Sequence, residues 1–199
     1  GTGKLQLRLR QPMVGSTGFG ENVRLTTWNE FDLGKAELKV RLIAQYGTGT
    51  GGIETAFYMA GGAPENLMEN KYVRSAGLVP YDWVGAYGNN VNHFHYGGGL
   101  NLRGYAGYLA PELTPDSTVV YTYRGNTGVA ANAELDLDKF LRIKPRWTKR
   151  WLHLDAYLFG DIGSMGYRDA RNGKQQLEMA MPRADAGAGF ALTIKKFGP

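Results

Sequence analysis

Residues 36–46, AELKVRLIAQY, alternate along their length: Ala36, Leu38, Val40, Leu42, Ala44 and Tyr46 fall on one side, Glu37, Lys39, Arg41 and Gln45 on the other. A period of two places successive side chains on opposite faces of a strand, whereas a helix would scatter the same residues around its circumference. The segment is therefore a strand with one apolar and one polar face. KLQLRLR repeats the pattern, with Leu5, Leu7 and Leu9 against Lys4, Gln6, Arg8 and Arg10. GVAANAELDLD sets Val129, Ala131, Ala133, Leu135 and Leu137 against Asn132, Glu134, Asp136 and Asp138. WLHLDAYLFGD opposes Leu152, Leu154, Ala156 and Leu158 to His153, Asp155, Tyr157 and Asp161. ADAGAGFALTIKK opposes Ala186, Ala188, Phe190, Leu192 and Ile194 to Asp185, Thr193 and Lys195. Weaker strands are expected at about 22–31, 52–60 and 118–124, and no helical period matches these in strength. The fold class is all-β, an antiparallel sheet of seven or eight strands.

Alternation separates two faces without saying which one meets solvent. A soluble sandwich or a lipocalin-like barrel turns its apolar face inward, while an outer-membrane barrel turns it toward lipid. The chain has no run of 18 apolar residues and so no transmembrane helix, a test to which barrel strands of about 9 to 11 residues are blind. Two features favour the membrane barrel. The apolar set is small and aliphatic, and aromatics gather toward strand ends at Trp28, Phe31, Tyr46, Trp147, Trp151 and Tyr167. Lys144, Arg146, Lys149 and Arg150 flank two of the tryptophans, as at a headgroup interface where rings anchor and cations snorkel. The 29 glycines and 12 tyrosines fit strands and turns, and the 43% hydrophobic content argues against low-complexity disorder. The 23 basic and 18 acidic residues are interspersed, so nucleic acid is not an expected partner. With no cysteine there is neither a disulfide framework nor a thiolate metal site. The opening GTGKLQLRLRQP lacks a signal-peptide core and starts in the manner of a strand, which reads as a mature fragment.

Between the expected strands at 52–60 and 118–124 lies a long stretch, about 61–117, without sustained period. Loops this long are usually functional. Within it stands GGGLNLRGYAGY, residues 97–108, which is similar to the sixth-loop motif of the Omp85 family of outer-membrane β-barrels, where an Arg-Gly-Tyr or Arg-Gly-Phe tip folds back into the barrel. The tip here is Arg103, Gly104 and Tyr105. LDAYLFGDIGSM resembles the family's later strand with an aromatic followed by Asp-x-Gly, at Phe159, Asp161 and Gly163. DAGAGFALTIKKFGP resembles the Gly-x-Gly strand and Gly-Pro turn before its last strand. The three motifs occur in the family's order over about residues 50–199. The resemblance implies a transmembrane β-barrel of sixteen strands, of which this chain is the C-terminal part without the closing strand, and it implies that Arg103 pairs with Asp161 inside the lumen. Strand parity agrees, since Asp161 shares a face with His153 and Asp155, and an arginine withdrawn from water needs a carboxylate. Glu134, Asp136, Asp155 and Asp185 are secondary lumen candidates by the same parity.

Other chemistry is weakly represented. His93 and His95 share a strand face but lack further ligands, and read as a polar loop pair. GGGLNLRG lacks the lysine and following helix of a phosphate loop, and GTGTGG at 47–52 reads as a hairpin turn. Asp155 and Asp161 lie too far apart along one strand for a retaining carboxylate pair. No catalytic constellation, metal site or cofactor is expected. The expected function is polypeptide insertion or translocation at the bacterial outer membrane, with outer-membrane lipid, client β-strands, and the rest of the same barrel or associated subunits as partners. Two other readings remain open: a barrel anchoring a larger surface or periplasmic protein such as a metallopeptidase, and a soluble ligand-binding barrel.

Overall fold

A computed structural model describes residues 1–11, 20–48, 57–61, 98–105, 108–137, 152–171 and 174–194. The segments expected to alternate form long antiparallel strands: β1 (Thr2–Arg10), β2 (Asn22–Asp32) and β3 (Glu37–Gly47). Short strands follow, β4 (Phe57–Tyr58), β5 (Pro111–Leu113), β6 (Val119–Tyr121) and β7 (Arg124–Gly125). The chain then enters β8 (Gly128–Asp136), β9 (Leu152–Arg171), β10 (Lys174–Met179) and β11 (Arg183–Ile194). The main sheet runs β1-β2-β3-β8-β9, and the far edge of the long β9 carries both β10 and β11. Among the described residues the sheet is open, with no closed barrel.

The β2–β3 hairpin turns tightly at Gly34, which adopts φ 81°, its N–H donating to Asp32 Oδ1 at 2.8 Å. On β9, Gly166 faces Met179 and Gly163 faces Arg183, so Ser164 and Met165 oppose the three residues Ala180, Met181 and Pro182. This extra residue is a bulge, formed where Pro182 has no N–H to give the ladder. Met165 O takes the Ala180 N–H at 2.9 Å, and Ser164 Oγ donates to Ala180 O at 2.6 Å.

The polarity of the sheet is the reverse of that in a soluble domain. One face is covered by the connection between β3 and β8, and that face is polar: Asn22, Arg24, Thr26, Lys39, Arg41, Gln45, Asn132, Glu134, Asp136 and Asp161 are all buried. The opposite, bare face is aliphatic and aromatic. Arg41 is 5% exposed while its chain neighbour Leu42 is 47% exposed, and Leu25, Tyr46, Val129, Leu158, Ile162 and Phe190 join Leu42 on the bare face. A small apolar core lies between the connection and the covered face, where Phe57, Met59, Leu100, Leu102 and Ala110 pack on Ile43, Ala130 and Met165. Ile43 and Met165 interrupt the polar face to receive it, burial worth about 1.5–3 kcal/mol per large side chain.

The weaker strands divide. The weak strand at 22–31 is a full member of the main sheet, whereas the described parts of those at 52–60 and 118–124 lie outside it. What is described of them is β4, β6 and β7, in two-stranded ribbons β4–β7 and β5–β6. The main-sheet connection therefore runs from 48 to 127 and contains the expected loop. Among the described residues these strands are two or three residues long, whereas β3 and β8 share a ladder over Glu37–Gln45. Trp28 does not join Phe31 and Tyr46 on the bare face. It lies opposite Arg41 on the covered face, with Lys4 Nζ 5.5 Å from its ring centroid, because its parity is that of Arg24 and Thr26. Tyr167 sits in the β9–β10 hairpin with its hydroxyl on Glu178 Oε2 at 3.1 Å. Trp147, Trp151, His93 and His95 lie outside the described residues, as do the side chains of Asp155 and His153.

Candidate functional site

The connection descends onto the covered face and turns there in a single 3-10 turn, Arg103–Tyr105. Leu100 and Leu102, both fully buried, seat the segment before the turn, so the polar residue that follows is delivered against β8 and β9. Arg103 Nε donates to Asp161 Oδ2 at 2.8 Å, and Nη2 donates to Asp161 Oδ1 at 2.8 Å. This is the two-pronged geometry that a planar guanidinium makes and an ammonium does not. Nη1 donates to Glu134 Oε2 at 2.7 Å, Nη2 also to Ala133 O at 3.2 Å, and the Arg103 backbone N–H to Asp161 Oδ2 at 3.2 Å. The Phe159 ring closes one side, with the guanidinium carbon 4.0 Å from its centroid. The side chains are almost dry, 6% exposed for Arg103 and 0% for Asp161. Burial opposes the charge on Arg103, but the hydrogen bonds and charge of Asp161, and then of Glu134, outweigh it and raise the guanidinium pKa above its ordinary value.

The rest of the tip is fastened to β11. The Gly104 N–H donates to Asp185 Oδ2 at 3.0 Å, and a Cβ at Gly104 would come within 2.8 Å of the Asp185 Cβ, so the second tip residue has to be glycine. Tyr105 donates its hydroxyl to Ala184 O at 3.4 Å, its ring 5.8 Å from that of Tyr108.

No family model matches the sequence, and no curated protein or solved structure matches it.

Of the residues singled out from the sequence, Arg103, Gly104, Asp161, Glu134 and Asp185 meet at one place. Tyr105 lies at its rim. Gly163 does not touch the tip: a Cβ there would lie 2.8 Å from Val129 O and 2.9 Å from the Ala130 Cβ, so it serves the close approach of β8 to β9. Asp136 stands apart, its carboxylate 3.7 Å from Lys39 Nζ, which also lies 3.4 Å from Glu37. Sequence reasoning missed Asn132, whose Nδ2 donates to Asp161 Oδ1 at 3.1 Å and to Asn101 O at 3.0 Å. Its covered-face parity was the available signal. Phe159 belongs to the site through its aromatic face, and it owes its flat pose to Gly187 opposite, where a Cβ would meet the ring at 2.7 Å. The arrangement is a fastening: it ties a long connection to strands from three parts of the chain. Among the described residues no group of three or more His, Cys, Asp or Glu is placed to hold a metal ion.

Proposed function

We propose that this chain is the C-terminal part of an Omp85-type outer-membrane β-barrel that inserts or translocates polypeptide. The observation carrying the proposal is the Arg103–Asp161 fastening on a sheet of reversed polarity. In this reading the bare aliphatic face meets lipid and the covered face lines the lumen. A sheet in hydrocarbon gains nothing by hiding leucines, and has every reason to gather its arginines and carboxylates on the other side. The resemblance of the Arg-Gly-Tyr and Asp-x-Gly motifs to those of the family supports the same assignment, with Arg103 as the lumen lock. Because the described sheet is open, further strands of the same barrel or associated subunits complete the wall, and a client strand pairs with a strand edge by β-augmentation.

The test is to refold the chain with detergent and lipid and run it on SDS gels with and without boiling. A heat-modifiable, lipid-associated species is expected. A folded, water-soluble monomer that ignores lipid would overturn the proposal. Transport is tested separately: vesicles bearing the complete protein should insert or translocate client strands, and Asp161→Asn should reduce that activity while the barrel remains heat-modifiable.

A further inference from the structure

Besides the arginine that the loop sends to the wall, the wall sends an arginine to the loop. Arg41 projects from the centre of β3 on the covered face and is buried. Its Nη2 donates to Gly99 O at 2.9 Å, and its Nη1 donates to Leu100 O at 3.4 Å and to Asn132 Oδ1 at 3.0 Å. None of these acceptors is a carboxylate. A lumen-lining arginine with no structural task would turn toward water, yet this one is withdrawn from it and gives its hydrogen bonds to backbone carbonyls of the connection, just upstream of the tip. We infer that Arg41 is a second anchor of the loop, a positioning residue that holds residues 99–102 on the wall separately from the Arg103 lock.

The local chain is shaped for this. At Gly99 a Cβ would lie 2.2 Å from Gly61 O and 3.0 Å from Ala60 O, so only glycine lets residue 99 pack against the backbone of residues 60–61, the position in which its carbonyl accepts from Arg41. Leu100 and Leu102 are fully buried on either side of Asn101, which takes φ 58° and so points the flanking carbonyls where a straight strand would not. Asn132 links the two anchors: its Oδ1 accepts from Arg41 while its Nδ2 donates to Asp161 and to Asn101 O. Release is then expected in two stages. Loss of Asp161 frees the tip, while the segment before it stays seated until Arg41 also lets go. The inference rests on the lumen reading only for what the loop does, since the contacts hold on whichever face meets lipid.

Because the chain has no cysteine, a single thiol reports each segment. Leu100→Cys or Tyr105→Cys is introduced into the full chain, folded in lipid or detergent, and maleimide labelling is timed in combination with Arg41→Met, Arg41→Lys or Asp161→Asn. Arg41→Met should speed labelling at position 100 by about tenfold or more, as expected for losing charge-assisted hydrogen bonds, with a smaller effect at position 105. Arg41→Lys should rescue part of the protection, and Asp161→Asn should expose position 105 while leaving position 100 protected. The inference is overturned if Arg41→Met leaves position 100 unchanged or exposes both positions equally, or if Asp161→Asn alone exposes both. If Arg41→Met does not fold, Arg41→Gln replaces it under the same criteria. The gel shift of the unaltered protein is read alongside: its absence removes the outer-membrane reading, whereas labelling decides the role of Arg41 in whatever folded form is obtained.

Discussion

A guanidinium shared by two dry carboxylates is costly to disturb, because deleting one partner leaves the others buried and uncompensated. Asp161→Asn or Arg103→Met should each destabilise the folded chain by about 3–5 kcal/mol, and the double variant by clearly less than the sum. A double-mutant cycle by chemical denaturation checks this, and additive losses would mean that the two side chains do not act as a pair. The pH dependence follows from the direction of the Arg103 shift. Its folded pKa is raised, so the stabilisation is fully present below the ordinary guanidinium value and is lost only as pH rises through a still higher one. The fastening should therefore survive alkaline titration, whereas Arg103→Lys should loosen as pH passes the ordinary lysine range near 10. Stability against pH for the two proteins separates these outcomes. At this scale Arg103, Gly104 and Asp161 were legible because a motif and strand parity pointed to the same residues. Asn132 and Arg41 could be placed on the polar face by parity, but nothing in the sequence marked them as partners of the loop, because what they hold there is backbone carbonyls.

Among the elements, β9 and β11 depend on rings lying flat over glycines. Gly187 faces Phe159 and Gly189 faces Tyr157, and a Cβ at Gly189 would come within 2.3 Å of the tyrosine ring. Phe159 cannot retreat, because its other face meets Arg103. Gly187→Ala should therefore cost about 1–3 kcal/mol and weaken the Arg103 fastening as well, which denaturation in the Asp161→Asn background would reveal as non-additivity. The β5–β6 ribbon turns through Thr114–Thr118, where the Thr114 hydroxyl bonds the Asp116 carboxylate and holds its pKa below the ordinary value. A lowered pKa gives stabilisation that is present above the ordinary carboxylate range and lost as pH falls through the folded value. Thr114→Val should weaken that dependence, as judged by amide exchange in the turn across acid pH. The long strands were readable from alternation because their faces are chemically unlike. The short ribbons were legible only as weaker strands at about 52–60 and 118–124, since two or three residues carry no period, and Ile43 and Met165 break the rule because the connection needs an apolar seat.

Across the whole molecule, one proposed assignment determines the rest: in the barrel reading the aliphatic face is outside and the charged face inside. Alternation could not say which face is covered; the connection lies on the polar one and leaves the aliphatic one bare. If the bare face meets lipid, Leu42→Arg should destabilise the protein in bilayers by about 2–4 kcal/mol, while a soluble domain would accept arginine at a half-exposed position with little loss. The most direct measurement is a spin-label scan along β3 in lipid, at Leu38, Val40, Leu42, Ala44 and Tyr46 in one set and at Lys39, Ile43 and Gln45 in the other. The first set should collide with membrane-dissolved oxygen and the second should be shielded from it, alternating residue by residue. The opposite phase, or water-soluble relaxation agents reaching the first set, would contradict the assignment.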